Sequence, residues 1–366
     1  MSSSSTHGPL SAVILAAGEG SRMRSERPKP LHRLCGRPML MYVLDAIGDT
    51  DADRAVIVVG HKAEWVTKKM QELSHDVHIE FVEQREQRGT GDATLVGLVG
   101  LPDDADETDD YDVLVLPGDA PLLRSSTIAA LVDQHRRSGA AATLLSAVMD
   151  DPTGYGRVIR GKDQSVVGIV EQSDGTDEEL AIAEVNTSIY VFRRNLLAPA
   201  LRRVEPDNKQ GEYYLTDVIG VLSSAGHRVD SMIVDDSAEV QGINDRVQLA
   251  AAEAGLRQRT NDALLRSGVT IVDPSAVYVD TTVEVARDVT LFPGVILQGA
   301  TVVGSGSEIG PNTHLVDTAV GVDCQIRSTT AVGARINDRS VVGPFASLAP
   351  GDDVPSDSNT GPFYTA

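Results

Sequence analysis

Cysteine, aromatic residues and positive charge are all scarce in this sequence of 366 residues. It has 2 cysteines, Cys35 and Cys324, and aromatic side chains make up 4%. Two cysteines so far apart form neither a C-x-x-C pair nor a disulfide framework, which fits a reducing compartment. Lysine and arginine number 32 against 53 acidic residues, a net charge of -21. Such a surface repels nucleic acid and anionic membranes, so we expect neither as a partner.

Long apolar runs and a secretory leader are also missing. No run approaches the ~20 apolar residues that cross a membrane. The start of the chain is Ser-rich and lacks the charged and apolar parts of a signal peptide. We therefore expect a cytoplasmic protein, with a disordered tail at residues 1–10. Apolar residues make up 41% of the chain, enough for a substantial core.

Apolar runs alternate with helix-like segments in the first part of the chain, and the helix around Trp65 is expected to bury that side chain. Strands are expected at Ala12–Ala16, Ala55–Val59, His78–Val82, Val113–Leu116 and Ala142–Val148. This alternation predicts an α/β, Rossmann-like domain with a mainly parallel sheet, whose ligands bind beyond the carboxyl ends of the strands. We place this domain at residues 11–245 and a long linker helix at 246–267.

A period of six begins after the predicted linker helix. Aliphatic residues recur at Val279, Val285, Leu291, Leu297, Val303, Ile309 and Leu315, then, after a slip, at Val320, Ile326 and Val332, and finally at Ile336, Val342 and Leu348. This period is the signature of a parallel β-helix, in which one apolar residue of each face points inward. We expect four to five coils over residues 268–352, followed by a tail at 353–366.

A Gly-rich segment follows the first predicted strand. Gly18 and Gly20 leave backbone N–H groups uncovered, and Arg22 and Lys29 add positive charge, so the segment suits a nucleotide phosphate. It lacks the Gly-Lys-Ser/Thr ending of Walker A, and Met23 stands where the dinucleotide fingerprint needs its third glycine. A plain strand-to-helix turn would be equally rich in glycine.

Two polar residues, Asp119 and Asn244, are candidates for the chemistry. Asp119 follows a predicted central strand, where a carboxylate suits Mg²⁺, although a turn or a helix N-cap would also explain it. Asn244 offers a neutral oxygen, and it is also a plausible N-cap of the linker helix. Glu171, taken alone, is best explained as an exposed acid at a strand end.

The motifs of the chain resemble those of one enzyme family. In order they read L-A-A-G-x-G-S-R-M, P-K-x-L-H, Q-R-G-T-G, G-D-A-P-L, G-Y-G-R, I-V-E, E-V-N-T and G-E-Y-Y-L-T-D, before the hexapeptide repeats. This set resembles the bacterial bifunctional N-acetylglucosamine-1-phosphate uridylyltransferase/glucosamine-1-phosphate acetyltransferase family. The resemblance implies a left-handed β-helix, assembly as a homotrimer through it, and uridylyl transfer from UTP to a sugar-1-phosphate.

The resemblance also implies roles for individual residues. It implies nucleotide binding by Leu15, Ala16, Ala17, Gly18, Gln84, Gly89, Thr90, Pro117 and Gly118, phosphate and catalytic roles for Arg22, Lys29 and Asp119, Mg²⁺ binding by Asp119 and Asn244, and sugar binding by Gly156, Glu171 and Asn186. Aligning two polyanions and offsetting their charge is the main task in such a transfer.

The sequence departs from the family pattern at several positions. Asp92 replaces a histidine, Pro117 an aromatic residue and Ser188 a glycine, which keeps UTP chemistry plausible and leaves the exact sugar open. The alternatives to N-acetylglucosamine-1-phosphate and UTP are another sugar, the use of dTTP, or a paralogue that binds a UDP-sugar without turnover. Ala349 stands where the acetyltransferase turn needs arginine, and the family's later Lys, His and Asn have no counterpart before Ala366. We therefore expect no acetyltransferase activity, and an acyltransferase is the least favoured alternative.

Overall fold

The chain forms two compact units in the computed structural model, which describes residues 9–48, 50–73, 77–101 and 111–365. One unit comprises the described residues up to His32 together with Pro38–Gln248; the other comprises Arg33–Arg37 and the residues from Leu249 onwards. Residues 1–8, most of the predicted tail, lie outside the described residues. Leu10, the last residue of that predicted tail, already belongs to the first strand.

Helices and strands alternate through the first unit, as the apolar pattern predicts. In chain order the elements up to the linker are β1 (Leu10–Ala16), β2 (Arg33–Leu34), β3 (Arg37–Pro38), α1 (Met39–Gly48), β4 (Ala52–Val59), α2 (Ala63–Gln71), β5 (His78–Glu83), α3 (Thr90–Val99), β6 (Asp112–Pro117), α4 (Ser125–Ser138), β7 (Ala142–Val148), β8 (Arg157–Arg160), β9 (Val166–Val170), α5 (Asp177–Leu180), β10 (Glu184–Arg193), α6 (Arg194–Leu201), α7 (Asp217–Ser224), β11 (Val229–Ile233) and α8 (Arg246–Arg266). Of these, β2, the first residue of β3 and the part of α8 from Leu249 onwards belong to the second unit.

The main sheet is mostly parallel and is covered on both faces. Its order is β11-β7-β10-β6-β1-β4-β5, and β10 alone runs antiparallel to its neighbours on this path. Alternate residues of β1 enter opposite cores: Ala12 and Ile14 pack on one side and Val13 on the other, all fully buried. Each such aliphatic side chain contributes roughly 1.5–3 kcal/mol. The predicted α/β fold with a mainly parallel sheet is confirmed.

A bulge interrupts β10 where it passes β7. The pairing register jumps between Asn186 and Ile189, so two residues of β10 leave the ladder. One of them, Ser188, has a φ of 61°, in the left-handed region that favours glycine. Bulges of this kind re-aim side chains and are frequent beside active sites. Here the bulge turns Asn186 and Ser188 toward the carboxyl ends of β1 and β6.

The second unit is built from short strands that stack in three five-stranded parallel sheets. The strands are β12 (Thr270–Ile271), β13 (Tyr278–Val279), β14 (Glu284–Val285), β15 (Thr290–Leu291), β16 (Ile296–Gln298), β17 (Val302–Val303), β18 (Glu308–Ile309), β19 (His314–Val316), β20 (Ala319–Val320), β21 (Gln325–Ile326), β22 (Thr330–Val332), β23 (Arg335–Ile336), β24 (Val341–Val342), β25 (Ser347–Leu348) and β26 (Asp353–Val354). Successive strands join successive sheets, which is the topology of a β-helix.

The inward-facing positions follow the predicted period of six, except at one position after the slip between Leu315 and Val320. Leu315 pairs with Ala331, which is fully buried, whereas Val332 is 38% exposed. The inward position predicted at Val332 is therefore wrong. The corners on either side of Ala331 are one residue shorter than in the regular repeat, so the inward position comes five residues after Ile326 and five before Ile336. Small Ala331 fills the position that a valine was expected to occupy.

The β-helix continues through the segment that the sequence analysis assigned to a tail at 353–366. Strand β26 pairs with β23, and isolated parallel bridges join Val341 to Asn359 and Ser347 to Thr365. The segment is polar because one inward residue per face is enough for the core, as Val354 illustrates with 1% exposure. Polarity alone therefore does not mark the end of a β-helix.

Trp65 is also more exposed than the sequence analysis predicted. It is 45% exposed, and the Lys62 ammonium lies 5.8 Å from its ring centroid. In α2 the core-facing positions belong to Val66 and Met70. Cys35 and Cys324 are both free and buried. Within the described ranges, no helix has the length and apolar character needed to span a membrane.

Candidate functional site

The loop after β1 is shaped by two glycines with different tasks. A Cβ on Gly18 would meet nothing within 4 Å, so the loop is open at this point and a ligand can approach the backbone. Gly20 has a φ of 65°, and a Cβ there would lie 2.8 Å from the Lys29 Cβ. Glycine at 20 therefore lets the Lys29 stem pass the loop.

A cluster of two cations and two oxygen ligands lies at the carboxyl ends of β1 and β6. The Lys29 ammonium donates to the Asp119 carboxylate and, over 3.0 Å, to the Asn244 Oδ1. The Arg22 guanidinium donates to the same Asn244 oxygen over 3.0 Å. The Asp119 main chain is fixed by a 2.9 Å hydrogen bond from the Ile243 N–H. These contacts bring together residues up to 222 positions apart in the sequence.

Asn244 is not the N-cap of the linker helix. The Asp245 carboxylate accepts a 2.8 Å hydrogen bond from the Gln248 N–H in the first turn of α8, so Asp245 has that task. The Asn244 side chain is thereby left to the cluster with Lys29 and Arg22. The N-cap alternative that the sequence left open for Asn244 is thus excluded.

The oxygen atoms of Asp119 and Asn244 fit a hard divalent cation. A carboxylate and an amide oxygen converge here on one positive centre, the Lys29 ammonium, and Mg²⁺ prefers such oxygen donors, completed by substrate phosphates. Among the described residues, no group of three or more His, Cys, Asp or Glu side chains could hold a metal ion. The Asp119 and Asn244 oxygens are therefore where the chain could hold a divalent metal ion.

The loop between β5 and α3 is held against the segment of the G-E-Y-Y-L-T-D motif. The Gly91 N–H donates to the Tyr213 carbonyl over 2.7 Å, and the Leu215 N–H donates to the Thr90 Oγ1 over 3.0 Å. A Cβ on Gly89 would lie 2.6 Å from the Tyr213 carbonyl oxygen. Both glycines of G-T-G are therefore required by close backbone contact. The sequence analysis gave the 211–217 motif no role. In the structure this motif supports the loop that carries Gly89 and Thr90.

Gln84 lies at the end of β5 and is 5% exposed. Its Nε2 donates to the Asp92 Oδ2 over 2.7 Å and to the Gly89 carbonyl over 3.3 Å. Asp92, the residue that replaces the family's histidine, thus contacts a predicted base-binding side chain.

Glu171 and Asn186 approach one another across the hairpin β8–β9 and the start of β10. The Thr216 hydroxyl donates to the Glu171 Oε1 over 3.0 Å. The Asn186 N–H donates to the Gly156 carbonyl over 2.8 Å, and a Cβ on Gly156 would lie 3.3 Å from the Glu171 Oε2. The three predicted sugar-binding residues therefore form one polar surface.

The Glu171 carboxyl has a raised pKa. Burial is the main cause, because it disfavours the charged form, and the nearby Asp217 and Asp174 carboxylates raise the pKa further. The hydrogen bond from Thr216 acts in the opposite direction and only partly offsets these effects. Glu171 is therefore a partly buried residue, unlike the exposed strand-end acid that the sequence alone favoured.

Arg157 is a buried positioning residue that the sequence analysis did not single out. It is 2% exposed, and its guanidinium donates to the carbonyls of Tyr155 and Leu180 and, over 3.0 Å, to the Gln172 Oε1. The same Gln172 oxygen accepts a 3.0 Å hydrogen bond from the Gly154 N–H. Arg157 thereby fixes the turn that carries Gly156. Its signal in the sequence is the final residue of G-Y-G-R.

All the predicted site residues line two adjoining cavities. A cavity of ≈ 330 Å³ is lined by Leu15, Ala16, Ala17, Gly18, Lys29, Gln84, Gly89, Thr90, Pro117, Gly118 and Asp119, among others. A second cavity of ≈ 370 Å³ is lined by Arg22, Asp119, Gly156, Glu171, Asn186 and Asn244, among others. Pro117, Asp119 and Ser188 line both cavities. The structure thus brings the predicted residues together, while their individual roles stay predictions.

Comparison with known proteins agrees with this architecture. Residues 12–216 match the MobA-like NTP transferase domain family. The bifunctional protein GlmU of Streptomyces coelicolor is 44% identical over 359 residues, which cover 98% of this chain and 73% of that protein. GlmU of Mycolicibacterium vanbaalenii is 45% identical over 355 residues, 96% of this chain and 71% of that protein. GlmU of Carboxydothermus hydrogenoformans is 40% identical over 354 residues, which cover 97% of this chain and 77% of that protein.

The α/β domain with two cavities that meet at a cluster of cations and oxygen ligands defines a nucleotidyltransferase of the sugar-1-phosphate class. Its substrates are accordingly a nucleotide and a sugar phosphate. The chain belongs to the GlmU family.

Proposed function

We propose that this protein transfers the uridylyl group of UTP to N-acetylglucosamine-1-phosphate and releases pyrophosphate. The observation that carries the proposal is the position of Asp119, which lines both cavities and pairs with the Lys29 ammonium. A nucleotide in the first cavity and a sugar phosphate in the second would therefore meet at this pair. Membership of the GlmU family supports the same assignment.

The reaction needs alignment and charge compensation. An oxygen of the sugar-1-phosphate attacks the α-phosphorus of UTP, the new P–O bond forms, and the bond from the α-phosphorus to the bridging oxygen breaks with departure of pyrophosphate. The attacking phosphate is already an anion, so the protein need not remove a proton. Lys29 and Arg22 would offset the negative charge that gathers as the two substrates approach, and the N–H groups of the loop at Gly18 would hold phosphate oxygens.

The metal that fits the site is Mg²⁺. Asp119 and Asn244 supply a carboxylate and an amide oxygen, and the substrate phosphates would complete the coordination. When bound, Mg²⁺ supplies Lewis-acid stabilisation of the phosphoryl oxygens. Lys29, 14% exposed at its side chain, would then share the task of neutralising phosphate charge.

The sugar assignment depends on the polar surface formed by Gly156, Glu171 and Asn186. A carboxylate that accepts hydrogen bonds from sugar hydroxyls selects strongly, because a sugar that lacks them leaves a buried acceptor unpaired. Ser188, at the bulge in β10, lines both cavities and adds a hydroxyl where the family pattern has glycine. The sugar preference is therefore the part of the proposal that Ser188 affects most directly.

We also propose that the β-helix assembles a homotrimer, as the family resemblance implies. Its outer surface carries apolar side chains that assembly would cover: Val302, Phe345 and Phe363 are 43%, 60% and 73% exposed in the single chain. Phe345 and Phe363 stack with their ring centroids 5.3 Å apart.

Acetyl transfer is not part of the proposed function. The turn that carries the acetyltransferase arginine in the family pattern has Ala349 here, and the Ala349 N–H is used within the turn by the Asp352 carboxylate over 2.6 Å. We expect purified protein to consume no acetyl-CoA with glucosamine-1-phosphate above a no-enzyme control. Free thiol release is the measurement, and turnover clearly above that control would contradict the expectation.

Pyrophosphate release across a substrate panel tests the main proposal. UTP, dTTP, CTP and GTP are each combined with N-acetylglucosamine-1-phosphate, N-acetylgalactosamine-1-phosphate, glucosamine-1-phosphate and glucose-1-phosphate, with and without Mg²⁺. We expect Mg²⁺-dependent release with UTP and N-acetylglucosamine-1-phosphate, at least about tenfold faster than with any other sugar, because a mismatched hydroxyl pattern costs at least one hydrogen bond.

Each other outcome of the panel changes a specific part of the proposal. Faster release with a different sugar would overturn the sugar assignment and leave the reaction. Equal release without Mg²⁺ in the presence of a chelator would overturn the metal assignment. Silence across the whole panel, from protein shown by circular dichroism to be folded, would overturn the proposed reaction itself.

A further inference from the structure

We propose that Asp92 sets the base specificity of the nucleotide site by fixing the orientation of the Gln84 carboxamide. The selected bases are those with an N–H donor at the N3 position of a pyrimidine, as in uracil and thymine, and cytosine is rejected. This inference rests on the proposed function, since it places the base of the nucleotide beside Gln84. Asp92 does not line the cavity itself, so it acts as a positioning residue.

The two hydrogen-bond partners of Gln84 determine which way its carboxamide points. The Nε2 group lies 2.7 Å from the Asp92 Oδ2 and 3.3 Å from the Gly89 carbonyl oxygen. An ionised carboxylate and a backbone carbonyl are acceptors only. Rotation of the carboxamide by half a turn would place the Gln84 Oε1 against these two oxygens. The surroundings therefore allow only the orientation in which the Gln84 Nε2 faces Asp92 and Gly89.

The fixed orientation leaves the Gln84 Oε1 as a hydrogen-bond acceptor for a ligand. Within the described ranges, no residue has a hydrogen bond to this oxygen, although Gln84 is 5% exposed and lines the ≈ 330 Å³ cavity. Uracil and thymine carry a hydrogen on N3 and can donate it to such an acceptor. Cytosine has a lone pair at N3, so two acceptors would face each other. A site with a fixed acceptor discriminates strongly against a ligand that cannot donate to it.

The Asp92 contact dominates over the Gly89 contact in fixing the carboxamide. It is the shorter of the two, and its acceptor is charged, which makes such a hydrogen bond roughly twice as strong as a neutral one. Asp92 also lies in the first turn of α3, where any acid interacts favourably with the helix dipole. If Asp92 only stabilised α3, its loss would affect every nucleotide equally. If it orients Gln84, its loss should affect UTP more than CTP, and this difference provides the test.

The test compares nucleotide selectivity in variants at position 92. We expect Asp92→Ala to lower kcat/KM for UTP about 10- to 50-fold, mainly through KM, and to leave CTP unchanged or improved. The ratio of kcat/KM for UTP to that for CTP should fall at least about tenfold. Asp92→Asn keeps an acceptor oxygen within reach of Gln84, so its ratio should stay within about threefold of the native value. Where CTP turnover is too slow to follow, its inhibition constant against UTP replaces it.

Two further variants separate specificity from folding. Asp92→Ser keeps a residue that suits the start of a helix, but its side chain is too short to reach Gln84. Its ratio of kcat/KM for UTP to that for CTP should therefore fall as in Asp92→Ala. This variant carries the test if Asp92→Ala folds poorly. Glu64→Ala removes an exposed acid from the first turn of α2 and should leave the ratio unchanged. Equal losses for UTP and CTP in both Asp92→Ala and Asp92→Ser would overturn the inference, while native UTP turnover would still support the proposed function. Absence of native UTP turnover would instead overturn the proposed function.

Discussion

Replacement of Asp119 by alanine should lower kcat by about 10³-fold or more and leave the fold intact. Charge stabilisation by a metal and its ligand is worth several kcal/mol in such transfers, and each 1.36 kcal/mol corresponds to a factor of ten. The side chain is 22% exposed and lies in a cavity wall, so its loss leaves no void in a hydrophobic core. The main-chain hydrogen bond from Ile243 does not depend on the side chain. Pyrophosphate release at saturating substrates measures the effect.

Two variants control this experiment. Asp119→Asn keeps the size of the side chain but removes its charge, so we expect a loss similar to that of alanine. Asp133→Asn removes an exposed acid from α4 and should leave kcat unchanged. Circular dichroism and the elution volume on size exclusion should match the native protein in all three. Turnover of Asp119→Ala within about tenfold of native would exclude Asp119 as the metal ligand.

The sequence predicts the positions of these residues because a parallel sheet limits where they can be. Gly18, Gln84 and Asp119 each follow a predicted strand, and the carboxyl ends of parallel strands meet at one edge. Composition and spacing alone therefore lead to this edge of the sheet. They leave Asn244 undecided between an oxygen ligand and a helix N-cap, because the contact of its side chain with Lys29, 215 positions away in the sequence, leaves no local pattern.

The features that the sequence analysis missed depend on contacts between distant segments. The bond from Gln84 to Asp92 depends on the rotamers of both side chains, which no local pattern determines. Arg157 is buried because the carbonyls of Tyr155 and Leu180 and the amide of Gln172 converge on it. Within the part of the chain that the structure describes, this buried guanidinium has no hydrogen bond to a carboxylate, which runs against the usual exposure or pairing of arginine.

The β-helix shows how a strong periodic signal can still give a wrong residue. A period of six identified the architecture, since each face of the helix buries one residue per coil. The period does not report the length of each corner, however. Around Ala331 the corners are short, and a valine at the next position, Val332, imitates the expected repeat while it faces outward. The backbone decides the register here, because alanine and valine are both acceptable inward residues.

Replacement of Glu171 by glutamine should have opposite effects on activity and on stability. Loss of the charged acceptor should reduce kcat/KM for the sugar-1-phosphate about 10- to 100-fold, since hydrogen bonds to charged groups contribute roughly 1.5–3 kcal/mol. The folded-state pKa of Glu171 is raised by burial, so just above the unfolded-state pKa of a glutamate, about 4.3, the folded protein binds more protons at this site than the unfolded chain. Folding stability is therefore reduced as the pH rises through this window, and the neutral glutamine avoids that cost.

The pH dependence of unfolding distinguishes this prediction from a general structural effect. In urea titrations the two proteins should be nearly equal in stability at about pH 4, near the unfolded-state pKa of a glutamate, and Glu171→Gln should become the more stable protein as the pH rises to neutrality. The low-pH limb of the kcat/KM profile should also lie at higher pH in the native enzyme than in Glu171→Gln. The ionisation of the sugar phosphate is common to both proteins and cancels in this comparison. Glu178→Gln, an exposed acid in α5, should change neither property.

The combination of the two readouts decides what Glu171 does. A carboxyl group kept only for structure would be expected to stabilise the fold through the hydrogen bond from Thr216, so its neutral replacement would lower stability at every pH. A carboxyl group kept for substrate would be tolerated despite its burial cost, which is the pattern expected when a site needs a charge that folding disfavours. Greater stability at neutral pH together with weaker sugar binding would establish the second case, and lower stability with unchanged KM would establish the first.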